Sequence, residues 1–111
     1  MPMPTITTPI ACIYVIVNDA TRKLWIGQTG DYCYRMLNTI NQLNANVHRN
    51  EALQSDWQTH GISGFSFKVI QLEADPERRL DSEHYWIRRA QSCGRDLYNK
   101  NLDRDDGRDW A

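Results

Sequence analysis

The sequence predicts a small single-core α+β domain, and three observations carry that expectation. Short runs rich in β-branched and aromatic residues sit among longer stretches whose apolar residues recur near every 3.6 positions. No βαβ unit repeats along the chain, which argues against a parallel sheet. A length of 111 residues with 41% hydrophobic content suits one core and argues against a second domain.

Ile10 to Asn18 (IACIYVIVN) ends at the turn formers Asn18 and Asp19, which predicts a strand. Arg22 to Gln28 (RKLWIGQ) holds a short apolar run stopped by Gly27 and Gly30, so the two segments together predict a hairpin. Asp31 then caps a helix over about 31 to 44, with Tyr32, Met36, Leu37, Ile40 and Leu43 on one face. Asn50 caps a second, short helix whose inner stripe is Ala52, Leu53 and Trp57, and Gly61 stands where a left-handed residue would end it. Phe65 to Leu72 alternates, with Phe65, Phe67 and Val69 inward, as a half-buried third strand. Asp75-Pro76-Glu77 opens the last helix, which runs to about Ser92: proline lacks an N–H that the first turn does not use, and Glu77 suits the positive helix end.

The expected organisation is an N-terminal extension over 1–9, the folded domain over 10–100 and an acidic flexible tail over 101–111. That tail carries Asp103, Asp105, Asp106 and Asp109, with Leu102 and Trp110 as its apolar residues. The net charge of −1 supplies no general pull toward a polyanion, so a nucleic-acid site would have to be local. Met1 to Asn18 contains three prolines and neither a basic leader nor the apolar stretch of a signal peptide or membrane span. The three cysteines, Cys12, Cys33 and Cys93, are odd in number and form no C-x-x-C, which suits a reducing, intracellular and cytoplasmic setting. The P-loop, H-E-x-x-H and G-x-G-x-x-G patterns are absent.

Several polar residues fall where chemistry is conceivable. Leu80, Glu83, His84 and Ile87 recur at i, i+3, i+4 and i+7, so Glu83 lies on or beside an inward stripe, where a carboxylate needs an arginine or a metal ion. Arg35 sits at the edge of the first helix's apolar face, as a snorkelling arginine or a bidentate clamp on a phosphate oxygen. Tyr14 points to the strand face opposite Ile13 and Val15. His48 and Arg49, in the polar stretch between the helices, are either plain loop residues or a proton shuttle and a phosphate contact.

Taken together, C-I-Y at 12–14, W-I-G at 25–27, Arg35, H-R-N at 48–50, L-Q-S-D-W at 53–57, Glu83 before Tyr85-Trp86-Ile87, and Tyr98-Asn99 resemble the GIY-YIG endonuclease domain in order and separation. The resemblance covers about residues 10 to 100. It implies a small three-stranded antiparallel sheet flanked by helices, and an endonuclease that hydrolyses phosphodiester bonds with one divalent ion, Mg²⁺ or Mn²⁺, as cofactor. In that reading Tyr14 orients or deprotonates the attacking water, Arg35 stabilises the scissile phosphate, Glu83 binds the metal and His48 joins the catalytic set. Trp25, Gly27 and Asn99 support the site. The implied partner is nucleic acid, DNA ahead of RNA, held at its phosphates by Arg22, Lys23 and Arg49; no membrane is involved, and a recruiting protein or a homo-dimer stays open.

Two residues depart from the pattern. Cys12 replaces the first glycine of the signature, a small change that a strand tolerates. Trp25 replaces a tyrosine, and an indole donates one hydrogen bond but accepts no proton. The second departure motivates a competing reading, a catalytically weak or inactive fold retained as a nucleic-acid-binding or assembly module.

Overall fold

Strand β1 (Cys12–Asn18) is apolar on both faces and therefore has no side to show to water, which places it in the middle of the sheet. In the computed structural model, which describes residues 9–99, β2 (Leu24–Thr29) and β3 (Phe65–Leu72) flank it in the order β2-β1-β3, both antiparallel. The expected N-terminal extension, apart from Pro9, and the expected acidic tail lie outside the described residues. Period-two alternation divides β1 between two cores. Cys12, Tyr14 and Ile16 pack with Trp25 and Phe65 under α1 (Tyr32–Asn44) and α2 (Glu51–His60), while Ile13 and Val15 join Ile26 and Ile87 beneath α3 (Pro76–Ser92).

The capping residues lie where the sequence puts them. Side-chain oxygens of Asp31, Asn50 and Asp75 accept from the N–H groups of Tyr34, Leu53 and Glu77, satisfying donors that a helix start leaves open. Gly61 ends α2 at φ 70°, a conformation that a side chain disfavours, and a 3-10 turn over Ile62–Gly64, not expected from the sequence, leads into β3.

Other details differ. β1 starts at Cys12 rather than Ile10, and β2 is shifted toward Thr29. Leu37 is exposed, because it stands about 100° around the helix from Met36, and Thr39 takes the inner place instead. Val69 is also exposed: β3 is an edge strand, its register slips at Ile13/Tyr14, and the helical layer covers Phe65 and Phe67 but not this end. On α3 the buried residues are Arg79, Glu83 and Ile87, so the inward stripe is rotated away from Leu80 and His84.

Past α3, the chain returns to the outer edge of β2. The Leu24 N–H donates to the Asp96 carbonyl, the Tyr98 N–H donates to the Leu24 carbonyl, and Leu97 pairs with Leu24 in parallel. Among the described residues no helix is long and apolar enough to cross a membrane.

Candidate active site

Tyr14 and Gly27 face each other across β1 and β2. A Cβ on Gly27 would stand 2.5 Å from the Tyr14 hydroxyl oxygen and 2.9 Å from Trp25 Nε1, so the phenol and the indole converge on the space this glycine leaves open. Both rings are buried, Tyr14 completely, and the Trp25 N–H reaches no hydrogen-bond acceptor among the described residues.

Asn99 fixes that stretch of β2 from outside. Its Oδ1 accepts from the Ile26 N–H at 2.9 Å and its Nδ2 donates to the Ile26 carbonyl at 2.8 Å, replacing both bonds of a missing neighbour strand. The preceding residue is locked as well. The Tyr98 hydroxyl donates to Asp56 at 2.6 Å and accepts from Asn18 Nδ2, while Asn50 Nδ2 donates to the Tyr98 carbonyl. Burial, and then the hydrogen bond to Asp56, push the Tyr98 phenol well above the usual tyrosine range.

Tyr32 opens α1 with its ring 6.2 Å from that of Tyr14, and Arg35, one turn further on, is half-buried beside it on the helix. Burial raises the Tyr32 pKa, with Cys12 and Cys33 adding to the shift.

His48 is buried rather than a plain loop residue. Its Nδ1 accepts from the Asn50 N–H at 3.0 Å, which leaves the proton on Nε2, an atom without a hydrogen-bond partner among the described residues. Gln54 holds the segment by accepting from the His48 N–H and donating to the Leu43 carbonyl, both at 2.9 Å. Burial is the leading cause that lowers the His48 pKa, so the imidazole is neutral near pH 7.

Glu83 is buried on the other face of the sheet. Arg79 Nε donates to Gln28 Oε1 at 2.8 Å, and Ile87 joins Ile26 in the second core. Glu83, midway between them on α3, therefore lies over the stretch of β2 that carries Gly27. Tyr14 and Trp25 thus pack on the α1–α2 face of the sheet and Glu83 on the α3 face, so the structure does not set these three on one face, and the nucleic-acid candidates stand apart from them all. Arg22 and Lys23 occupy the β1–β2 turn at the far end of β2, with the Lys23 ammonium 5.0 Å over the Tyr98 ring, and Arg49 is exposed between α1 and α2.

Among the described residues no group of three or more His, Cys, Asp and Glu could cage a metal ion. A single buried carboxylate fits Mg²⁺ or Mn²⁺ better than zinc, since Mg²⁺ keeps its waters and takes further oxygens from a phosphate. Sequence reasoning missed Arg79, Tyr32 and Gln54. The Asp75-Pro76 start fixes the phase of α3 and could have shown that position 79 shares a face with Glu83, four residues on.

No protein-family model and no curated protein matches the chain. Solved structures do. A mutant of the catalytic domain of the intron endonuclease I-TevI superposes with a TM-score of 0.71 at 20% identity, covering 78% of this chain and 90% of that one. The catalytic domain of the homing endonuclease I-TevI gives a TM-score of 0.69 at 20% identity, covering 81% of this chain and 99% of that one. At that identity the likeness speaks to architecture, and the three-stranded antiparallel sheet with its flanking helices is the GIY-YIG nuclease domain fold.

Proposed function

We propose that the protein is an endonuclease that hydrolyses phosphodiester bonds of nucleic acid, DNA ahead of RNA, with one divalent ion. The convergence of the Tyr14 hydroxyl and the Trp25 indole on the gap at Gly27 carries this reading. It is a polar focus inside an otherwise apolar layer, and Asn99 holds it from outside. Such a focus costs stability, which is reasonable where it serves chemistry.

In this reading Tyr14 accepts a hydrogen bond from the attacking water and orients it toward phosphorus. Arg35 donates to the non-bridging oxygens as their charge grows. The neutral His48 holds a proton at Nε2 and is suited to give it to the departing oxygen. Glu83 would hold the ion with one carboxylate, and the bound ion would neutralise phosphate charge and acidify its water.

Incubation of plasmid DNA and of labelled DNA and RNA strands with Mg²⁺, Mn²⁺ or EDTA tests the proposal. Metal-dependent cutting that disappears in Glu83→Gln and Arg35→Ala is the expected result. Cutting unchanged in Glu83→Gln defeats it. One observation favours a second reading: Tyr14 is fully buried and Trp25 stands in for a phenol, which suits a domain that binds nucleic acid and cuts it slowly or not at all. Salt-sensitive binding without cleavage under any metal would select that reading.

A further inference from the structure

Arg79 is a buried cation, 9% exposed, whose hydrogen-bond partners are all neutral. Nε donates to Gln28 Oε1 at 2.8 Å, and Nη1 donates to the carbonyls of Glu73 and Ala74 at 3.2 and 3.3 Å. Among the described residues no carboxylate forms an ion pair with it. Nη2 makes no hydrogen bond to the described residues and lies beside Gly30, 3.7 Å from where a Cβ of that exposed glycine would stand. A guanidinium held mostly out of water is favourable only when its donors are met, and Nη2, beside exposed Gly30, is the one nitrogen of this group left to meet a partner from outside the described residues.

Anchoring alone is a poor reason for an arginine at this position. A neutral glutamine could bridge Gln28 to the β3–α3 connection without placing a guanidinium there. The bonds instead fix the guanidinium plane, use Nε and Nη1, and leave the two Nη2 donors beside a residue that has no side chain to block them. Two preorganised donors on a permanently charged group match phosphate oxygens.

We infer that Arg79 is an anion seat, its Nη2 receiving a phosphate oxygen that approaches over Gly30. Resting on the nuclease reading above, the anion is a backbone phosphate of the bound strand, one or more nucleotides from the phosphate held by Arg35. Arg79 shares the inner face of α3 with Glu83, one turn away, so the strand enters the site across the end of β2.

Gly30 permits a test that leaves the Arg79 anchor intact, because its φ is not in the left-handed region and a Cβ there meets ordinary contact distances. Gly30→Asp brings a carboxylate to Nη2, and Gly30→Asn is its neutral counterpart of the same size. Inorganic phosphate is titrated into the wild-type protein and both variants while the Arg79 Nε–H resonance is followed by NMR. Binding of a labelled oligonucleotide is measured alongside in EDTA.

The expected result is a phosphate-dependent shift in the wild type and Gly30→Asn that is lost in Gly30→Asp. Oligonucleotide affinity should be about tenfold weaker in Gly30→Asp than in Gly30→Asn, with a salt slope shallower by about one. A resonance that phosphate does not move, or moves equally in all three proteins, overturns the inference. If phosphate moves the signal as expected while the wild type neither binds nor cuts any nucleic acid, the anion seat stands and the nuclease reading falls.

Discussion

The Tyr14 hydroxyl lies in the space that a side chain at Gly27 would claim, so the two residues are sterically one unit. Gly27→Ala forces a Cβ to within 2.5 Å of the Tyr14 ring and hydroxyl, and the phenol must swing away. The expected cost is about 1–3 kcal/mol of stability, as for other overpacked cores, read from chemical denaturation. On the proposed nuclease reading, in which the phenol orients water, cleavage should fall further than stability accounts for, by roughly 10²-fold.

If the proposed nuclease reading holds, Trp25→Tyr is expected to speed cleavage. The indole N–H is buried without an acceptor among the described residues, and a phenol there could both donate and accept a proton. A rise toward the roughly 10²-fold at the low end of what a positioned acid–base group contributes is the expected outcome in a single-turnover assay. Trp25→Phe removes the same N–H without adding a hydroxyl and should give no such gain.

Asn99→Ala removes the donor and the acceptor that satisfy the Ile26 backbone. The loss should destabilise the fold by about 1–3 kcal/mol, measured as a lower melting temperature. Asn99→Asp keeps the acceptor for the Ile26 N–H but sets an oxygen against the Ile26 carbonyl, so it should not restore wild-type stability.

His48 should make the protein acid-sensitive. Its folded pKa lies below the ordinary value of 6.5 because burial disfavours the charged ring. Below pH 6.5 the unfolded chain binds the proton more readily than the folded one, so stability present above that pH is lost as pH falls through the folded pKa. Thermal melts between pH 7.5 and 5 should decline more steeply for the wild type than for His48→Gln; parallel curves would remove this role.

Much of the architecture was legible because local rules and global packing agree. Asp31, Asn50 and Asp75 cap their helices by chemistry that spans three residues, and the doubly apolar β1 could only be central. The failures arise where partners are distant in sequence. Arg79 drew no expectation because its acceptor, Gln28, lies 51 positions away. Val69 matched the alternation and is exposed nonetheless, since period two predicts which face a residue takes but not how far the covering helices reach. For the candidate site, the resemblance supplied Tyr14, Trp25, Gly27 and Asn99 as separate positions. That they meet at one gap in β2 depends on register, which no local pattern specifies.

The short stretch from Asp96 to Asn99 lies along β2 only from Leu24 to Ile26. Bare strand margins invite other chains to add on, and half of this margin is sheathed by the molecule's own polypeptide. Cutting the chain before Asp96 would therefore unmask a sticky border as well as remove Asn99. Such a shortened protein should associate with itself, and turbidity or light scattering would register that change before any assay of cleavage did.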